Sequence, residues 1–401
     1  MVSRFFSPPL KERIQKWLSR KTSSNSFIPE IDGFRFYAIF TVLLYHINTH
    51  VSRVITSKGV SIEFNNSLVF KVAHEGGIGV NVFFAISGFI LALPFARQRL
   101  FKTEPVSLKS YYIRRLTRLE PPYVISLILL LGVHVIILQE NFGAIFPNFL
   151  ASLFYIHNIV FDQWSAINPV AWSLEVEVQF YVLAPVLAML FSIPNSTVRR
   201  IVLLLLIVGS MLHYNLNYDM IQALHLRKSI LMHLHQFLIG FLFADFFLTD
   251  WKELLKTKSY TFDAVGIAAL ILLLIFNDPF TFHHDLIFSV CLFLSFLSLF
   301  KGTLVNAFFT NTWIVIIGGM CYSIYLLHYA MIAFLAEQSM ILFLPDWGYA
   351  ANFIIQLLII IPLVLMVSAV YFAMIERPCM DKDWPTKLKS QLIVFLHLKP
   401  R

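Results

Sequence analysis

Within the apolar run GFRFYAIFTVLLYH (33–46) stand two ionisable side chains, Arg35 and His46. Lipid makes both expensive, so an intramembrane position implies a partner or a function. On a helix, eleven residues at about 100° each return to nearly the same face, and about 1.5 Å per residue sets the two roughly 16 Å apart along the axis. A polar stripe therefore crosses much of the bilayer. Arg35 taken alone also fits an arginine reaching back to the headgroups, and His46 an interhelical hydrogen bond. The run NPVAWSLEVEVQFYVLAP (168–185) carries Glu175 and Glu177 behind Trp172. Two residues apart, the carboxylates face different ways; Glu177 shares its face with Ser173 and Tyr181. In CYSIYLLHYA (321–330), Ser323, Tyr325 and His328 line a further helix. Histidine, carboxylate and hydroxyls are the groups that general acid–base chemistry requires. A proton relay in a transporter would use them equally well.

A second set is cationic. YYIRRLTRLEPPY (111–123) places Arg114, Arg115 and Arg118 just ahead of Pro121 and Pro122, which read as the start of a helix. Arg115 and Arg118 share a face if helical, and guanidinium forks suit phosphate; an ordinary cytoplasmic anchor explains the same residues. In GIGVNVFFAISGF (77–89), Gly77, Gly79 and Gly88 allow close helix approach, and Ser87 can bond a neighbouring backbone. IERPCM (375–380) ends a helix in Glu376 and Arg377, for which an interfacial ion pair suffices. His233 and His235 are two apart and poorly placed to share a metal on one helix. His283, His284 and Asp285 fall in a short loop, and no metal site is expected. Cys291, Cys321 and Cys379 have no metal-ligand spacing and imply no disulfide framework.

These residues need helices to hold them, and the composition supplies helices of one kind. Apolar types make up 58% of the 401 residues and charged types 13%, the balance of an all-α, polytopic transmembrane bundle. Spans are expected near 33–50, 77–97, 121–139, 168–193, 199–215, 229–249, 260–277, 286–300, 313–336 and 350–375, about ten in all. The fifth is marginal and the eighth short. Residues 142–157, interrupted by Pro147, read as a re-entrant or interfacial piece. With the N-terminus inside, 25 of the 31 basic residues fall on the cytoplasmic side and five (Arg53, Lys58, Lys71, Arg227, Lys228) outside; Arg35 is the remainder. The asymmetry predicts both termini cytoplasmic and accounts for the net charge of +8 without nucleic acid. A basic amphipathic segment is expected over 1–30, where Leu10, Ile14, Trp17 and Leu18 share a face, a membrane domain over 31–378, and a basic tail over 379–401. No cleavable signal peptide and no soluble domain are expected.

Taken in order, these stretches resemble the acyltransferase-3 family of integral membrane acyltransferases. The matching residues are Arg35 and His46, then GVNVFFAISGF (79–89), and then Arg115, Arg118 and Pro121. Trp172, Ser173, Leu174, Glu177, Phe180 and Tyr181 follow, then Ser323, Tyr325, Leu326 and His328, and finally Glu376 to Pro378. Asn81 stands where members often carry aspartate, so it is a poor catalytic candidate. The resemblance implies transfer of an acyl group, commonly acetyl from acetyl-CoA, to a hydroxyl of an envelope or exported carbohydrate or glycolipid, with acyl-CoA a co-substrate and no permanently bound cofactor. Partners are then acyl-CoA, the carbohydrate acceptor and the bilayer of the cell (inner) membrane. On this reading Arg35, Arg114, Arg115 and Arg118 hold CoA phosphates and His46 is the general base. Glu177 or His328 orients it, and Ser323 or Tyr325 stabilises the oxyanion. Ser87, Trp172, Ser173 and Tyr181 support the site. Direct transfer and a covalent acyl-enzyme both remain open.

Overall fold

Every regular element among the described residues is helical. The computed structural model describes residues 10–21, 27–59, 64, 66–217, 221–251, 256–276, 281–381 and 383–387. Eight helical stretches among them are long and apolar enough to cross a membrane: Leu68–Phe101, Leu108–Ile137, Pro169–Ser192, Ser196–Asn217, Leu224–Thr249, Phe282–Lys301, Cys321–Leu342 and Gly348–Cys379. Two further expected spans form helices of other character. The first is Pro29–Ser57, 29 residues long and interrupted by charge; the other is Tyr260–Ile275, only 16 residues long. The expected eighth span is not short, since Phe282–Lys301 runs for 20 residues.

The helices that build the site are α1 (Leu10–Leu18), α2 (Pro29–Ser57), α3 (Gly79–Phe101), α4 (Leu108–Gly132), α5 (Phe142–Leu153), α6 (Trp172–Leu187), α7 (Ile230–Thr249), α8 (Thr312–Gly319), α9 (Cys321–Gln338) and α10 (Gly348–Tyr371). Two apolar cores result. One gathers α3, α6 and α7 around Phe89, Phe180 and Phe237; the other gathers α4, α9 and α10 around Tyr123, Ile324 and Phe353. Helix α2 belongs to both: Ile31, Phe34 and Ala38 pack into the first, and Ile39, Leu43 and Ile47 into the second. It is the seam of the bundle, and its polar stripe lies along that seam.

Helices in lipid gain no hydrophobic drive from one another, so close backbone approach has to supply the packing. A Cβ on Gly88 would stand 2.0 Å from the carbonyl oxygen of Phe237, and one on Gly240 would stand 2.1 Å from that of Ala85. The two glycines thus let α3 and α7 touch backbone to backbone, and Gly79 does the same for α3 against Ala38 of α2. Gly77 has open space at its Cβ and serves no such contact.

Prolines mislead at two places. Helix α4 does not begin at Pro121 but at Leu108, capped by Ser107, and runs through both prolines. The carbonyl of Thr117, which loses its helical donor to Pro121, accepts instead from Trp384 Nε1 at 2.8 Å. Likewise Pro185 frees the carbonyl of Tyr181, and the Tyr111 hydroxyl donates to it at 3.1 Å. Such replacement bonds are what make proline tolerable in a membrane helix. Pro147 does not break α5 either: it lies in the second turn from the Asn141 cap, where one bond, to Gly143, is lost. The single span expected at 313–336 is two helices, α8 and α9, parted at Met320 after the pair Gly318–Gly319. The basic tail expected over 379–401 lies mostly outside the described residues.

Candidate active site

At the seam lies a cavity of about 560 Å³ walled by α2, α3, α4, α6 and α9. Its wall carries seven basic residues (Arg20, Lys21, Arg35, Arg97, Arg114, Arg115, Arg118) against three carboxylates, Asp32, Glu177 and Glu376. A surplus of positive charge in a walled cleft raises a potential that attracts anions.

The cations are not equivalent. Pro29 starts α2 and Asp32 follows in its first turn, where the helix dipole favours an anion. One oxygen of Asp32, Oδ1, receives Arg35 Nη1 at 2.5 Å and Arg20 Nη1 at 2.5 Å. Arg35, three residues on, is therefore tied down. Arg115 lies flat against aromatic rings, its Cζ 4.1 Å from the Tyr111 centroid and 5.5 Å from that of Tyr181. Arg114 turns to its own backbone, donating to the Ser110 carbonyl at 3.1 Å. Arg97 and Arg118 are the guanidinium groups left over: among the described residues no hydrogen bond or ion pair within 4 Å engages either, and Arg20, Arg35, Glu376 and Asp32 all lie within the electrostatic reach of Arg118.

Deeper in the wall, Ser87 donates a short hydrogen bond to Glu177, and Tyr181 lines the same part of the cavity. Ser87 thus bonds a side chain of α6, not a backbone. Ser173 and Tyr325 close the inner end. The Tyr325 hydroxyl donates to the carbonyl of Val170, so it accepts from Ser173 Oγ at 2.6 Å, since a phenol has one proton to give. Ser323 does not line the cavity; its Oγ and backbone N–H both donate to Glu376 Oε2, at 2.5 and 3.0 Å. The two hydroxyls expected to stabilise an oxyanion are therefore already committed.

His46 and His328 stand behind Tyr325, outside the cavity wall. Their ring centroids are 5.1 Å apart, and the Tyr325 ring is 5.5 Å from that of His328. His328 Nδ1 faces two carbonyls, of Tyr325 at 2.8 Å and Ile324 at 3.1 Å. Carbonyls only accept, so the proton belongs on Nδ1. Nε2 is then a bare acceptor, buried without a hydrogen-bond partner. The ring beside His46 is that of His328, whereas the hydrogen bond of Glu177 runs to Ser87; the carboxylate does not orient His46 through a direct bond.

Trp172 stands apart as well. It faces Trp164, His233 and Phe84, with the Lys228 ammonium 4.2 Å from its ring. Glu175 is a structural carboxylate, buried and accepting from the backbone N–H of Asn158 at 3.1 Å. Glu376 and Arg377 do not pair with each other. A π-helical turn over Phe372–Glu376 carries Glu376 inward, while Arg377 donates to the carbonyls of Ser19 and Lys16.

Asp32, Arg20 and Glu376 are the cavity residues that sequence reasoning passed over or explained away. For Asp32 a signal was present, because it stands three residues before Arg35 in a helical first turn. For Arg20 and Glu376 the evidence is purely tertiary.

Comparison with known proteins adds the family. The pattern described as "Acyltransferase domain" matches residues 28–373. The chain is 28% identical over 335 residues to "Putative O-acetyltransferase SACOL0978" of Staphylococcus aureus (strain COL), covering 77% of this chain and 51% of that protein. It is 24% identical over 413 residues to "O-acetyltransferase OatA" of Staphylococcus aureus (strain MRSA252), covering 95% of this chain and 63% of that one. The chain thus spans about half the length of the first of these relatives. No solved structure matches it. A match across most of the chain, joined to the apolar helices and the cationic cavity, places this protein in the acyltransferase-3 family of integral membrane acyltransferases.

Proposed function

We propose that the protein moves an acyl group, acetyl in the simplest case, from acyl-CoA to a hydroxyl of an envelope or exported carbohydrate or glycolipid. The observation that carries this reading is the adjacency of a strongly basic cavity to a pair of imidazoles, with Tyr325 between them. Both termini lie in the cytoplasm on this account, so the cavity receives its donor from the inside and the histidines face an acceptor from the outside. Arg118 grips a phosphate, with Arg35 held ready beside it by Asp32.

Neutral His46 takes the proton of the acceptor hydroxyl. The oxygen attacks the thioester carbonyl carbon; a C–O bond forms, the C–S bond breaks, and the departing thiolate recovers the proton from His46. His328, its Nδ1 proton fixed on carbonyls, offers the Nε2 lone pair to protonated His46. This is the part that the sequence left open between Glu177 and His328. Glu177 instead balances the arginine wall from its seat beside Ser87. The relatives' names as O-acetyltransferases support acetyl and a hydroxyl acceptor.

The test is titration of purified protein in lipid nanodiscs with acetyl-CoA, followed by thiol release on adding envelope glycans. Binding with glycan-dependent release is the expected result. An absence of acetyl-CoA binding rejects the reading.

A further inference from the structure

The family pattern begins at residue 28, yet the cavity wall begins before it. Arg20 and Lys21, from the segment after α1, line the cavity with Arg35 and Arg118. We propose that Arg20 is a donor-binding residue, and that the docked N-terminal segment selects a phosphate-bearing donor over a bare thioester. The proposal rests on the reading of this cavity as the acyl-CoA site.

Three observations hold the segment in place. Arg377 donates through Nε to the Ser19 carbonyl and through Nη2 to that of Lys16, both at 3.0 Å, which fixes the backbone immediately before Arg20. Arg20 Nη1 reaches Asp32 Oδ1 at 2.5 Å. The aliphatic stem of Arg20 lies over Gly319, where an added Cβ would meet its Cγ and Cδ at 3.1 Å. A side chain at residue 319 would therefore crowd the Arg20 stem and push it aside by a few tenths of an ångström.

Neutralising Asp32 does not account for Arg20. The same Asp32 oxygen already receives Arg35 at 2.5 Å, and one carboxylate cannot balance two guanidinium groups. The Nε of Arg20 is buried and makes no hydrogen bond. A second cation is thus brought to a carboxylate that has one, beside a third guanidinium, Arg118; Glu376 also acts on Arg20 and Arg118, yet the wall as a whole holds seven basic groups against three carboxylates. Burying such a cluster is costly unless an anion completes it. CoA phosphates are anions of that kind, and forked guanidinium donors match their oxygens.

The experiment uses the full chain in nanodiscs and two probes with the same thioester: acetyl-CoA, and S-acetylpantetheine, which has no phosphate. Arg20→Gln should weaken acetyl-CoA binding about tenfold, the scale of one charge-assisted contact, and leave S-acetylpantetheine unchanged. Gly319→Ala, which keeps the charge but displaces the stem, should show the same selective loss and add little to Arg20→Gln. If Arg20→Gln fails to insert, Gly319→Ala alone makes the same comparison. Equal loss for both probes, or no loss for either, overturns the role of Arg20. A wild-type protein that binds acetyl-CoA no better than S-acetylpantetheine overturns the cavity reading along with it.

Discussion

His46 and His328 come from helices α2 and α9, almost three hundred residues apart in sequence, and place their ring centroids 5.1 Å from each other. His328 has spent Nδ1 on the backbone and holds Nε2 free. If the pair works as a unit, the single losses should not add. His328→Ala should lower acyl transfer at least tenfold, and in a His46→Ala background it should lower it little further. Independent, multiplying losses in a double-mutant cycle would return His328 to a packing role.

Glu177 tests the reassignment of the carboxylate. Glu177→Gln keeps an oxygen to accept from Ser87, so transfer should stay within several-fold of normal, while Glu177→Ala orphans that hydroxyl and should cost more. If Glu177→Gln were as damaging as loss of His46, the carboxylate's charge would have to be restored to the mechanism.

Arg118 should separate from its neighbours. Arg118→Ala should weaken acetyl-CoA binding about tenfold, and Arg118→Lys should recover only part of it, since an ammonium lacks the fork. Arg114→Ala should change affinity far less, because Arg114 is exposed and its Nε is spent on the Ser110 carbonyl. Equal effects at the two positions, read by calorimetric titration, would mean that the cluster acts only through its summed charge.

Topology has its own check. The lopsided distribution of basic residues predicts that reporters fused after residues 60 and 220 are outside, and those after residue 105 and at the C-terminus inside. A cytoplasmic segment at 51–75 would place donor and acceptor on one side and remove the two-sided scheme.

What sequence made legible was whatever a single helix can express. The stripe from Arg35 to His46, the shared face of Ser173, Glu177 and Tyr181, and the helical character of the apolar runs follow from period and composition. Bonds between helices were not legible. Nothing near Glu376 announces that a π-helical turn carries it inward to Ser323, and nothing near Tyr325 announces that its proton goes to Val170. Pro121 read as a helix start because proline usually marks one. The carbonyl that excuses it, Thr117, finds its donor in Trp384, 267 residues away.

The central claim is that a base at His46 completes the transfer of an acyl group bound in the arginine cavity. Its most direct measurement is transfer of labelled acetyl from acetyl-CoA to acceptor glycan by wild-type protein and His46→Ala, side by side with acetyl-CoA affinity. The account predicts that His46→Ala inserts, binds acetyl-CoA as wild type does, and transfers about 10²-fold less. Near-normal transfer by His46→Ala would contradict it, as would a wild-type protein that transfers no acetyl.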